Sequence, residues 1–239
     1  MPGRFRRLCL LALLPAAALA ACQPKPAEAP VAAVPEAETA KLPDCGALTE
    51  AELGPNGTAD CRLTAPGETG WDIEVNYAEG AEGAVDVSLK IAAGDGTEIQ
   101  TIRETAQSAY GLPYFVDLDS DGRAELLVPL MTGNVNTSFA VWRGKDGDPE
   151  FVRTGEVSGI DVTAYEPGLF ITPARSSASS WSTTYHVFED NTVTRIATAE
   201  ITLGETEDDP GSCTVVDDGG LARIGLTLDQ AQAKFCAAE

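Results

Sequence analysis

From Trp71 to Leu203 the chain is a succession of short runs in which apolar and polar residues alternate: WDIEVNYA, AVDVSLKIAAGDGTEIQTIRE, AELLVPLM, SFAVWRGKDGDPEFVR, GLFITPA and TTYHVFEDNTVTRIATAEITL. A period of two puts every second side chain on one face of a pleated strand. Gly-Asp-Gly, Lys-Asp-Gly-Asp and Glu-Asp-Asn stand between the runs, and these are turn residues that join antiparallel neighbours. The pattern predicts a mainly β domain, an antiparallel, hairpin-rich sandwich or a few propeller-like blades. Helical signals are confined to the ends: LTEAEL at Leu48–Leu53, and TLDQAQAKFC, where Thr227 can cap the helix N-terminus.

The first residues read differently. Arg4, Arg6 and Arg7 precede an apolar run from Leu8 to Leu14 and a small-residue stretch ending Leu19-Ala20-Ala21-Cys22. This is the layout of an export signal, too short to span a membrane. The tetrapeptide LAAC fits the bacterial lipobox, so Cys22 resembles a lipidation site; the alternative is an ordinary cysteine after a normal cleavage site. Gln23 after the cysteine resembles the pattern sorted to the outer membrane. Residues 22–43 are rich in Pro, Ala and Glu and read as a solvated tether. Residues 44–239 are long enough for a single domain with its own core. The expected address is the periplasmic face of the outer membrane of a Gram-negative bacterium, by a lipid anchor, and no transmembrane run follows the signal.

Composition narrows the partners. Removing residues 1–21 takes away three Arg and no acid, so 13 basic residues face 37 acidic ones, a formal charge of −24. Nucleic acid and anionic headgroups are repelled by such a chain. A basic protein or a divalent cation is attracted. Cys45, Cys61, Cys213 and Cys236 remain after Cys9 and Cys22, an even number that in an exported protein points to disulfides. Nearness favours Cys45–Cys61 and Cys213–Cys236 over the two other pairings, and a metal-thiolate site is the rival reading.

The densest charge lies in FVDLDSDGRAELLVP, where Asp117, Asp119, Asp121 and Glu125 fall within nine residues. Acids at positions one, three, five and nine, with Gly122 at six, let a tight loop aim several oxygens at one point, as calcium requires. Gly122 permits the reversal, and Arg123 is expected to contribute its carbonyl oxygen. An EF-hand is excluded because its twelfth position is here Val128 and the flanks are strand-like. The competing reading is a solvated acidic turn. The loop resembles the calcium loops of FG-GAP and VCBS-type proteins, which implies Asp117, Asp119, Asp121 and Glu125 as side-chain ligands of one Ca2+ and Arg123 through its carbonyl. It occurs once, without the repeated elements of a full propeller.

Together with GDGTEIQTI, TGNVNTSFAVWR, FVRTGEVSGI and GLFITPARSSASSWSTTYHVFEDNTVTRI, the loop gives residues 98–203 a likeness to a family of bacterial periplasmic lipoproteins with one calcium loop. That family is similar to lysozyme inhibitors and includes immunity proteins against peptidoglycan hydrolases. The resemblance implies a protein partner, a peptidoglycan hydrolase, and an inhibitory role. Invertebrate-type inhibitors carry Ser-Gly-x-x-Tyr where this chain reads RSSASSW. A protruding loop of small residues can enter a glycosidase cleft, with Trp181 as aromatic anchor and Arg175, Ser177 and Ser179 facing the partner's carboxylates. The other reading is a plain hairpin with Trp181 folded back on its sheet. Trp71 and Trp142 sit in alternating runs and are expected in the core. His186 is the only histidine and is expected as a surface or packing residue; no GxSxG, HExxH or P-loop accompanies it, so no enzyme is expected.

Overall fold

Glu125–Thr132 organises the fold because both its faces are apolar: Leu126, Val128 and Leu130 point one way, Leu127 the other, and every residue from Glu125 to Leu130 is buried. A strand of this kind must be covered on both sides. The computed structural model describes residues 41–54, 56–66, 71–107, 111–144, 150–204, 206, 209, 211–216 and 219–237. The expected signal at 1–21, Cys22 and all but the last residues of the tether lie outside the described residues.

The described residues form three antiparallel sheets, each a meander of neighbouring strands. The first comprises β1 (Cys61–Leu63), β2 (Trp71–Glu79), β3 (Val85–Ala93) and β4 (Glu98–Ala106). The second comprises β5 (Tyr114–Val116), β6 (Glu125–Thr132), β7 (Thr137–Gly144) and β8 (Phe151–Gly159). The third comprises β9 (Thr163–Glu166), β10 (Leu169–Arg175), β11 (Ser180–Glu189), β12 (Thr192–Thr202) and β13 (Ser212–Val216). The mainly β, hairpin-rich expectation holds.

Packing follows the alternation. Ile73, Val75, Leu89, Ile91 and Ile102 of the first sheet meet Leu126, Val128 and Leu130. On the other face of the middle sheet, Leu127, Phe139, Val141 and Val157 meet Phe170 of β10. The third sheet's outer face, with Leu169, Tyr185 and Ile196, is covered by Leu221, Ala231 and Phe235. Phe235 belongs to helix α1 (Leu228–Phe235), which opens on a capping box between Thr227 and Gln230 and stacks its Phe235 ring on Tyr185 with centroids 3.8 Å apart.

Turn chemistry sets the register. Asp190 and Asn191, with φ of 45° and 62°, make the two-residue link between Glu189 and Thr192 that matches strand twist. Pro167 and Gly168, φ 82°, link β9 to β10. Both disulfides form as expected: Cys45–Cys61 pins the start of the domain to β1, and Cys213–Cys236 pins α1 to β13. Closing loops of 16 and 23 residues restricts the unfolded chain by roughly 3 kcal/mol each.

The N-terminal helix differs from expectation. A 3-10 turn forms earlier, at Cys45–Ala47, and Thr49–Glu52 closes as a single turn in which the Glu52 carboxylate accepts the N–H and O–H of Thr49. Gly54 and Pro55 follow before a second turn can add hydrogen bonds to offset nucleation. Trp71 and Trp142 pack partly buried against the first core, and Trp142 Nε1 donates to Glu104 Oε1 at 2.8 Å.

His186 is a buried packing residue. Its ring stacks on Phe170, centroids 5.1 Å apart, and its Nε2 lies 3.0 Å from Thr172 Oγ1. Burial, helped by the Arg195 charge, pushes the imidazole down to about 4. The unfolded imidazole takes its proton near 6.5, so the unfolded state binds more protons between these values. Stability present above pH 6.5 is therefore lost as pH falls towards 4. Urea unfolding of wild type and His186→Gln across this window should show an extra loss in wild type of roughly 3 kcal/mol by pH 4. Parallel pH profiles would contradict a neutral, desolvated His186.

Candidate metal centre

The loop between β5 and β6 is fixed to both of its flanks. Leu118 is fully buried in the core between the middle and third sheets. Its N–H donates to Glu125 Oε2 at 2.9 Å, and Glu125, first residue of β6, is 1% exposed. The Asp119 carbonyl accepts from Gly168 N–H at 2.7 Å, docking the loop on the β9–β10 turn. On the other side, Gly122 and Arg123 border a hollow of about 60 Å³ walled by Trp71, Phe115 and Phe151. The loop is thus tied to the middle and third sheets and shares a hollow with Trp71 of the first.

Within the loop, backbone N–H groups hold the acids in place. Asp117 accepts from the N–H groups of Asp121 and Gly122 at 3.2 and 3.0 Å, and Asp121 Oδ1 accepts from Arg123 N–H at 2.8 Å. Gly122 has φ 88°, and a Cβ there would meet nothing within 4 Å, so the backbone conformation and not space selects glycine. The result brings one oxygen each from Asp117, Asp119 and Glu125 within 4.8 Å of one another. An ion with oxygen ligands at about 2.4 Å spans about that distance between opposite ligands, so the three can share one cation.

Asp121 is outside this group of three. Its Oδ2 accepts instead from Arg143 NH2 at 2.8 Å. Arg143, near the end of β7, also meets Asp119 Oδ2 at 2.5 Å, and its Nε lies 3.4 Å from Glu125 Oε1. With Asp119, Asp121 and Glu125 all ionised, the three carboxylates and the one guanidinium would sum to −2. Burial lifts Glu125 to about 7 and raises Asp119 as well, the charge of Arg143 acting the other way in both.

Two features fit a hard divalent cation. The donors are all oxygens, and Asp119 Oδ1, on a side chain only 10% exposed, is buried without a hydrogen-bond partner. Such an orphan costs about 1–3 kcal/mol unless something meets it. Arg123 is positioned with its guanidinium against Gly144, consistent with its side chain pointing away from the cluster.

The second group of expected site residues sits at the opposite end of β10, about 20 Å away by strand rise. Arg175 and Trp181 face each other across the β10–β11 hairpin, the guanidinium 5.1 Å from the Trp181 ring centroid. The Asn136 side chain clamps the Arg175 backbone through two hydrogen bonds, at 3.0 and 3.1 Å, and Arg175 Nε donates to Ser177 O at 2.9 Å. Ser177 and Ser179 lie exposed in the turn, and Leu203 N–H donates to Ser179 O. His186 packs on Phe170 and pairs with Thr172, and it is not among the hydrogen-bond partners described for the acid loop.

Sequence reasoning missed Arg143, Leu118 and Gly168, and met Asn136 only within the Asn/Gly-rich strand entry of the resemblance, without assigning it a role. Arg143 had one signal, a lone cation closing an apolar strand run in a chain dominated by acids. Asn136 and Gly168 act through non-local pairings, which spacing along the chain does not display.

No family model matches the chain, and no curated protein matches it. The solved structure of a Xanthomonas type IV secretion system related protein is similar over 72% of this chain and 94% of that chain, with 10% identity and a TM-score of 0.46. A likeness so distant bears on neither fold nor function. Among the described residues no helix is long and apolar enough to cross a membrane.

Proposed function

We propose that the chain is an exported, lipid-anchored envelope protein whose β domain is stabilised by one Ca2+ and which inhibits a lysozyme-like peptidoglycan hydrolase by binding it. The anchor would be Cys22, on the periplasmic side of the outer membrane. The observation that carries the binding role is the Arg175–Trp181 pair, held rigid by Asn136 at a hairpin tip of small serines. Arginine and tryptophan are the residues on which interface energy concentrates, and ordering them beforehand lowers the entropy lost on binding. The tip stretches Thr132–Asn136 and Arg175–Trp181 contain no acid in a chain of 37 acids, so a partner's carboxylates could approach Arg175 there. The acidic remainder would speed the encounter with a basic hydrolase.

At the acid cluster itself, the neighbourhood supports a cation site over a substrate pocket. The adjoining hollow of about 60 Å³ is far below the roughly 300 Å³ of a small-molecule site. The sole histidine is buried under Phe170. Calcium is supported by Asp117, Asp119 and Glu125 as side-chain donors; bound there, the ion would supply positive charge that keeps the loop closed. Asp121 and the Arg123 carbonyl would complete the set.

A second reading, an envelope module that calcium merely holds together, is favoured by one observation: the loop is tied to both the middle and the third sheet, so a cation there serves the fold whatever the surface does.

Two measurements test these statements. With calcium at 100 times its Kd, chelation should remove about 2.7 kcal/mol, lowering Tm by roughly 5–10 °C for a domain of this size. Asp119→Ala should already melt low and respond little to chelator. A wild-type melting curve unmoved by chelator and calcium would dispose of the metal. In a turbidity assay, residues 23–239 should slow lysis of peptidoglycan by a muramidase, and Trp181→Ala or Arg175→Ala should weaken inhibition about tenfold or more. Undiminished lysis across several hydrolase classes would leave only the module reading.

A further inference from the structure

Arg143 is an unexpected resident of a site built from acids. Its NH2 reaches Asp119 Oδ2 at 2.5 Å and Asp121 Oδ2 at 2.8 Å, while its Nε lies 3.4 Å from Glu125 Oε1. The guanidinium carbon stands 4.7 Å from the ring centroid of Phe188, on the third sheet. The group therefore lies between the acid loop and an aromatic face, only 21% exposed.

The same carboxylates are the donors for a cation. Asp119 divides its two oxygens: Oδ2 meets Arg143, while Oδ1 is buried without a well-formed hydrogen bond, the Asp121 N–H being near its carboxylate, and is the atom left for a ligand. A cation bound through Asp117, Asp119 and Glu125 would sit within a few ångströms of a fixed positive charge. Like charges that close repel strongly where water is partly excluded. Without a cation, the guanidinium is the counter-charge that Asp119, Asp121 and Glu125 share, acting beside the backbone N–H groups that hold the loop. Phe188 gives it a surface on which to rest when the carboxylates turn to a metal, because a cation over a ring face is attracted to it.

We infer that Arg143 sets the divalent-cation affinity of the centre: it holds the cluster together when no ion is bound and competes with the ion for Asp119 and Glu125. This rests on the metal reading of the loop and adds what limits it. The consequence is a site of moderate affinity, in the range of about 10⁻⁴–10⁻³ M seen in extracellular calcium modules. Such a site fills in a calcium-rich medium and empties in a poor one.

Removing a residue that touches a binding site ordinarily weakens binding; here the opposite is expected. Arg143→Met keeps length and apolar contact with Phe188 but removes the charge, and Arg143→Gln removes the charge while keeping a donor for Asp119. Calcium titration followed by calorimetry should give both neutral variants a Kd lower than wild type by about tenfold or more. In chelator, both should melt below wild type, since the carboxylates have lost their counter-charge. Arg143→Lys, which keeps the charge, should bind with wild-type affinity. Equal or weaker calcium binding by both neutral variants, with wild type binding normally, would overturn the role of Arg143 and leave the metal site standing. Absence of calcium binding by wild type and variants alike would overturn both.

Discussion

The central strand of the molecule, β6, presents apolar side chains on both faces, and its first residue is a buried glutamate. Those two facts constrain everything around them. Two apolar faces require a sheet on each side, and three stacked sheets expose little of the middle one. Glu125 brings a carboxylate into that interior, where water cannot solvate it, and desolvation of a charge is costly unless partners replace the water. Leu118 N–H and Arg143 are partners the structure provides. A cation shared with Asp117 and Asp119 is the partner the proposal adds.

Because the loop is tied to the middle and third sheets, its electrostatics and the packing of the domain are linked. Leu118 enters the core between the middle and third sheets, Asp119 docks on the turn before β10, and Gly122 and Arg123 face the hollow beside Trp71. Repulsion among the acids would act on all of these contacts. Neutralisation would tighten them together. β10 connects the docking point at Gly168 with the Arg175–Trp181 tip, so the rigidity of one strand gives the acid loop and the proposed binding surface a common support.

Much of the fold was legible because it depends on local chemistry. Alternation announced strands, Asp190-Asn191 announced a hairpin, Thr227 announced a cap, and nearness in the chain gave the pairing of the cysteines. The loop acids were legible from spacing, but Arg143 was not, since only the register between β6 and β7 brings a residue eighteen positions beyond Glu125 to its carboxylate. Asn136 and Arg175, thirty-nine residues apart, meet for a similar non-local reason. The helix expected at Leu48–Leu53 was a local signal that stopped one turn short, cut by Gly54 and Pro55. The RSSASSW stretch showed its small residues openly, yet the clamp that orders it belongs to another hairpin.

A divalent cation held by the loop would sit where the middle and third sheets meet, so its most direct test is amide hydrogen exchange at two backbone positions. The N–H of Leu118 bonds to Glu125, and the N–H of Gly168 bonds to the Asp119 carbonyl. With calcium at ten or more times its Kd both should exchange about tenfold or more slowly than in chelator, while amides of α1 change little. Equal protection of Leu118 and Gly168 in the two conditions would contradict a cation at that junction.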